Sequence, residues 1–397
     1  MVDSLPQGAP VLEEPGVPSA LPEGLRGAPG TLSQWQLIGL RFSKQRLAVA
    51  SVFALFVLYA FAVFSEPIAP YAPYTRHLDY PYAPPQSLHF DVQHGLHTYA
   101  LQRYVDPITF RKQYVELPSE PLKLRFFAPA EAYRLWGLIP MQRRLISVEA
   151  REINALRGAA PAPSTFFLLG ADRYGRDIFS RTIYGARISL SVGMIGMFLT
   201  FVFGLCVGGV SAYAGGRTDY FLQRGSELVQ AFPQLPLWIA LSALLPSDWS
   251  ALAVCFAITL LLSSLNWMDL ARVVRSKILA LREEEYVVAA RLMGASHTRI
   301  LFRHLLPGFS SHIIVALTLS VPVVILGEAA LSFLGLGLRP PLVSWGVMLR
   351  DCLDKEAVRS HPWLLSPVLF IVASALSFNL LGGGVRDAAD PYGSASK

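Results

Sequence analysis

The stretch EEEYVVAARLMGASHTRILFRHLLP, Glu283 to Pro307, is a polar-flanked interruption between two long apolar segments, and the rest of the chain is arranged around it. Tyr286, Ala289, Ala290, Met293 and Gly294 recur at i, i+3 and i+4, so one side of a helix here carries an aromatic knob beside small residues. Such a face admits a close-docking partner. Glu283, Glu284 and Glu285 stand where a helix N-terminus favours negative charge, Gly294 can close that helix, and Ser296 can cap a second one limited by Pro307. The same features also suit an ordinary amphipathic loop on a membrane surface.

At 53% hydrophobic and 16% charged over 397 residues, with a mean hydropathy of +0.41, the chain is too apolar for a typical soluble domain and reads as an integral membrane protein. Its formal charge of +6 does not imply nucleic acid, because the basic residues are scattered beside apolar runs rather than gathered into a patch with aromatics. Cys206, Cys255 and Cys352 form neither a disulfide framework nor a CxxC knuckle and read as packing residues. No basic segment leading straight into an apolar core opens the chain, so no cleavable signal peptide is expected.

Residues 1–34 are rich in Pro, Gly, Ala and Glu and are expected to be a disordered cytoplasmic tail. Residues 35–64 combine an interfacial helix, in which Trp35, Leu37, Ile38 and Phe42 alternate with Arg41, Lys44 and Arg46, and a first span from Leu47 to Phe64. As a helix that span is roughly 27 Å long, close to the hydrocarbon thickness of a bilayer. Further uncharged runs at Ile188–Gly216, Leu228–Ser247, Trp249–Met268, Leu305–Gly327 and Pro362–Val385 bring the expected spans to six. The short basic connections, with Arg217 and Arg224 in one and Arg272 to Arg303 in another, put both termini on the cytoplasmic side. Residues 65–181 then form an external loop with enough aromatics to fold as a small cap. Residues 182–386 form a five-helix core with a cytoplasmic loop at 271–307, and 387–397 a cytoplasmic tail.

Gly193, Gly196, Gly204, Gly208 and Gly209 give the second span small residues for close helix approach, and Pro233, Pro236 and Pro322 release backbone hydrogen bonds where helices can bend. His89, His94 and His97 lack an accompanying carboxylate or cysteine pattern, so no metal site is expected. Glu328, near the external end of the fifth span, is the candidate gate, with a helix-to-helix hydrogen bond as its plainer role. No chain of ionisable groups crosses the spans, as an ion-driven carrier would need. No GxxxxGK[ST] cradle for nucleotide phosphates and no catalytic motif occurs either, so the chain is not expected to be an enzyme.

The Glu283–Pro307 stretch resembles the EAA loop of binding-protein-dependent ABC importer permeases. Ala289, Ala290, Gly294, Leu306 and Pro307 match the motif, while Val288 replaces the usual first Glu and His304 the usual Ile. FLLGADRYGRDIFSRTIYGARISLSVG (Phe167–Gly193), EAALSFLGLGLRPPLVSWGVML (Glu328–Leu349) and NLLGGGVRDAADPY (Asn379–Tyr392) resemble the signature blocks of the C-type permeases of dipeptide, oligopeptide and nickel importers. The resemblance implies an all-α inner-membrane protein of a prokaryote with six transmembrane helices in a methionine-importer-like fold and a long external insertion between the first two. It implies a homologous B-type permease partner, two ATPase subunits holding ATP and Mg, and an external solute-binding protein; this chain carries no cofactor. Glu284, Glu285, Tyr286, Ala289, Ala290, Met293 and Gly294 would take the ATPase contact. Asp172, Arg176, Asp177, Arg181 and Arg187, at the external mouth, would face the binding protein. Peptide uptake is the implied function, with nickel or another small solute, an ion-gradient carrier, or a membrane anchor for the cap as alternatives.

Overall fold

A computed structural model describes residues 34–389 apart from 106, 109–111, 149–164 and 247, so all but the last residue of the tail expected over 1–34 and most of that over 387–397 lie outside the described residues. The first apolar run forms helix α2 (Arg46–Val63), preceded by a short helix α1 (Gln34–Ser43) where the basic amphipathic segment was expected. Among the described residues four more helices are long and apolar enough to cross a membrane: α3 (Ile178–Ala214), α6 (Ala251–Leu281), α8 (Ser310–Phe333) and α10 (Ser366–Ala389, continuous with a turn from Pro362). Two of them extend well beyond the uncharged runs, α3 starting at Ile178 and α6 ending at Leu281. A charged residue at a span end stays helical when its charge is paired or reaches solvent.

The expected third span differs. In place of one continuous helix over Leu228–Ser247 there are two, α4 (Gly216–Gln230) and α5 (Gln234–Ser242), separated at Ala231–Pro233. Pro233 takes an extended conformation (φ −63°, ψ 129°) and starts α5, while Pro236 sits in its first turn, where a missing N–H disturbs nothing. Pro322, by contrast, is carried inside α8 without ending it.

Glycine sets the helix packing. A methyl group on Gly208 would lie 2.5 Å from the Ala271 carbonyl oxygen, and one on Gly204 would lie 2.7 Å from Leu270. One on Gly196 would lie 3.3 Å from the Ser263 hydroxyl and 2.7 Å from Val324 of α8. Contacts that advance together along both helices mean that α3 and α6 run parallel. With α8 the order reverses, Gly193 meeting Ile325 and Ser189 meeting Glu328, so that pair is antiparallel. Aliphatic side chains fill the remaining space in three clusters, centred on Leu190 and Ile325, on Val274 and Ile300, and on Ile258 and Leu262.

The all-α expectation fails between α2 and α3. Strands β1 (His89–Asp91), β2 (Gly95–Val105), β3 (Lys112–Leu135) and β4 (Ile139–Val148) form an antiparallel sheet in the order β1-β2-β3-β4. Strand β3 pairs through its first half with β2 (His97 opposite Lys123) and through its second with β4 (Leu124 opposite Val148). Aromatic and β-branched residues suited to a pleated surface, with turns at Gly95 and at Trp136–Gly137 where φ is positive, make this segment strand rather than helix. The sheet is tied to the end of α2. Buried Arg144 donates to the Ala69 carbonyl (2.6 Å), and the Gln86 side chain bridges the Phe167 N–H (2.7 Å) and the Tyr99 carbonyl (2.7 Å).

Candidate functional site

At the end of the bundle away from the sheet, α6 runs out at Leu281 and the chain turns into helix α7 (Glu285–Leu292), for which Glu284 is the extended N-cap residue. Gly294 closes it at φ +81°, with open space where a side chain would be, and the Ala295 N–H returns to the Ala290 carbonyl (3.1 Å). The Ser296 hydroxyl then accepts from the Arg299 N–H (3.4 Å) and starts the next helical segment, as its position predicted.

Helix α7 has two faces. Val287 and Ala290 are buried, whereas Glu284, Glu285, Tyr286, Ala289, Leu292 and Met293 are exposed, Leu292 at 84% and Met293 at 81%. Ala290, expected on the docking face, is 3% exposed and cannot touch a neighbour, because Val287, three residues earlier on the same face, is drawn into the core with Ile300 and Leu305. Leu292 was missed: its i+4 relation to Val288 was legible, but the choice of face is made by tertiary packing. The acidic run is open to solvent, with Glu283 paired to Arg282 (2.9 Å). Nearby, Arg275 of α6 grips Asp219 of α4 through two bonds of 2.6 and 2.5 Å, which fixes the first half of the broken segment against α6.

At the sheet-bearing end the charges close on themselves. Asp172 accepts from the N–H groups of Tyr174 (2.8 Å) and Arg176 (3.0 Å), from the Arg176 side chain (2.6 Å) and from Arg181. Asp177 caps α3, taking the Ser180 N–H (2.7 Å) and hydroxyl (2.6 Å), and burial, opposed by those hydrogen bonds, pushes its carboxyl up to about 6. Arg187 makes a two-pronged pair with Glu66 (2.8 and 2.6 Å); burial works to raise the Glu66 carboxyl, but the Arg187 hydrogen bond and charge prevail and hold it below its ordinary range.

Asp172, Asp177 and Arg181 are 3%, 2% and 4% exposed, so the expectation that they meet a binding protein is corrected: they are the internal joint between the sheet-side loops and the head of α3. Arg176 and Arg187 are partly accessible but committed to carboxylates. What this end shows to solvent is Tyr174 and Arg173, the ring lying under the guanidinium groups of Arg76, Arg173 and Arg176 at 4.6–5.3 Å. Beside it a cleft of about 930 Å³ opens between Tyr82, Gln113 and Arg173 on one side and Asp354, Arg359 and His361 on the other.

Glu328 lies inside the bundle. It is fully buried and accepts from the hydroxyls of Ser332 (2.7 Å), Ser344 (2.7 Å) and Ser189 (3.5 Å). Each of those hydroxyl oxygens in turn accepts a backbone N–H, from Leu338, Val347 and Trp345 respectively. The carboxylate is a hub joining α3, α8 and the short helix α9 (Trp345–Leu349), an arrangement of the kind the plainer role, a helix-to-helix hydrogen bond, describes. The histidines do have a carboxylate beside them: Asp91 lies 3.0 Å from His94 Nδ1 and 3.8 Å from His97 Nε2. Among the described residues no group of three or more such side chains is placed to hold a metal ion. Cys206 is exposed rather than packed, and Cys255 and Cys352 are half-buried; all three are free thiols.

Residues 201–392 match the family described as binding-protein-dependent transport system inner membrane component, and residues 33–85 match the N-terminal TM domain of oligopeptide transport permease C. The oligopeptide transport system permease protein OppC of Bacillus subtilis (strain 168) is 40% identical over 239 residues, covering 60% of this chain and 75% of that protein. The dipeptide transport system permease protein DppC of the same organism is 41% identical, covering 58% and 70%. The glutathione transport system permease protein GsiD of Pectobacterium atrosepticum is 39% identical, covering 58% and 74%. Among solved structures, a chain of the MetNI methionine ABC transporter in an inward-facing form shows a loose likeness, with a TM-score of 0.42 at 16% identity over 53% of this chain and 97% of that one.

Proposed function

The chain belongs to the family of binding-protein-dependent transport system inner membrane components, and from that premise we propose that it is the permease subunit of an ABC importer that takes up peptides. Membership implies a second permease, ATPase subunits and a binding protein; the partner here is read as a homologous B-type permease, with two ATPase subunits that hold ATP and Mg. One observation carries the mechanical part. Helix α7 shows Leu292, Met293 and Tyr286 beside three carboxylates at the end of the bundle, while its other face is locked into the core.

A rigid lever of this kind passes a push from an ATPase to α6 and α8, between which it sits. The parallel course of α3 and α6 supports six crossings, because α4 and α5 must then return the chain to the side from which α6 starts. The basic connections orient α7 and both termini to the cytoplasm and the sheet to the outside. Peptide is the substrate class carried by the named relatives, and the 930 Å³ cleft with Arg173 and Tyr174 is the face left open for a binding protein. Met293→Asp should abolish co-purification of the ATPase subunits and ATP-dependent peptide uptake while the permease pair still forms. Uptake at the parental rate in that variant would refute the lever.

A further inference from the structure

The tip of the β3–β4 hairpin, Trp136–Gly137–Leu138, carries apolar groups that the sheet does not use. Leu138 is 79% exposed, and Trp136 and Ile139 are each half exposed. The tip does not hang free in solution. The Trp136 indole N–H donates to the Val63 carbonyl (2.8 Å), the last residue of α2, and its ring lies 6.2 Å from that of Phe64.

This places an aromatic residue at the level where a membrane-spanning helix ends. Helix α2 also presents an exposed stripe, Val49, Phe53, Phe56 and Val63, spaced at i+3, i+4 and i+7 along one face. Phe64, the next residue after the helix, is also exposed and lies against the Trp136 ring, with Leu138 exposed two residues further on. A surface shared between a lipid-facing helix and a tryptophan at its end is one in which the ring sits among headgroups and the aliphatic tip reaches the acyl boundary. Arg134 and Arg143, exposed on the flanking strands, stand where lipid phosphates would be met.

We propose that the β3–β4 hairpin tip is an interfacial anchor, with Trp136, Leu138 and Ile139 seated in the outer leaflet of the membrane beside α2, so that the inserted sheet rests on lipid. The inference rests on the membrane topology given above. The tip on the bilayer thereby adds to the protein contacts that hold the sheet, Arg144 on the Ala69 carbonyl and the Trp136 indole on the Val63 carbonyl.

The test uses the full importer complex reconstituted in bilayers containing phospholipids brominated either near the headgroup or deep in the acyl chain. With seven tryptophans in the chain, the signal of one is isolated by subtracting Trp136→Phe. The difference emission should be quenched more by shallow than by deep bromines, and little by aqueous iodide. Leu138→Trp supplies an independent probe if Trp136→Phe fails to assemble, and it should show the same depth order. Difference emission quenched by iodide, which means a tip in water, or by neither quencher, which means a tip covered by protein, overturns the anchor. Phe56→Trp separates the two levels: quenching of that probe by deep bromines upholds α2 as a span whatever the tip does. Its absence sinks the topology rather than the anchor alone.

Discussion

The two ends of the helical bundle carry similar charge in the sequence and opposite designs in space. At the α7 end the carboxylates Glu283, Glu284 and Glu285 are exposed, beside Leu292 and Met293, which are themselves left largely uncovered by the described residues. At the sheet-bearing end Asp172, Asp177 and Arg181 are buried: Asp172 pairs with Arg181 and takes backbone N–H groups, and Asp177 takes the N–H and hydroxyl of Ser180. One end is a surface awaiting a partner; the other is a joint. The difference teaches that a charged cluster is available to a partner only where the fold leaves it at the surface, a point that spacing along the sequence does not reveal.

That contrast can be broken or sharpened. Asp172→Ala leaves Arg181 buried without its carboxylate and should cost about 3–5 kcal/mol of stability, read as loss of folded protein and of melting temperature in detergent. A variant as stable as the parent would mean that the joint is no joint. Asp177 should give the next largest effect, through pH. Its folded carboxyl titrates near 6 against 3.8 when unfolded, so the folded state keeps a proton that the unfolded chain has released. Stability from this group is therefore full below about pH 4, falls as pH rises toward 6, and is lost above it, by about 3 kcal/mol at most. Unfolding measured from pH 4 to pH 7 should show that slope in the parent and not in Asp177→Asn.

On the inner end, Ala290→Leu forces extra volume into the packed face of α7 and should cost about 1–3 kcal/mol, with ATPase binding reduced only as far as folding is. Full stability with lost ATPase binding would return Ala290 to the docking face. The smallest stability effect is expected for Leu292→Asp, within about 0.5 kcal/mol of the parent, since the side chain is 84% exposed. The same variant should nonetheless lose the ATPase subunits in pull-down. A complex that survives it would move the contact to Tyr286 and Met293.

Much of the core was legible because its signals are local. The uncharged run from Leu47 to Phe64, the glycines of α3 and the Glu-rich start, Gly294 stop and Ser296 restart of the α7 region act within a few residues of themselves. Pro233 was legible as a break for the same reason, although its consequence, two helices in place of one, depended on how α4 packs through Asp219 and Arg275. The sheet was less legible. Its aromatics marked a folded segment, but pairing His97 with Lys123 and Leu124 with Val148 is a relation between distant residues that no window of sequence contains.

What the sequence determined by itself is the list of apolar stretches, their order, and the short helix among basic connections, because helix periodicity and membrane length are properties of contiguous residues. The tertiary structure alone decided that Ala290 turns inward while Leu292 turns outward, that Asp172 holds Arg181, and that Glu328 gathers three serines. Burial is set by what the rest of the chain brings alongside a residue, and that is fixed only when the helices and the sheet have met.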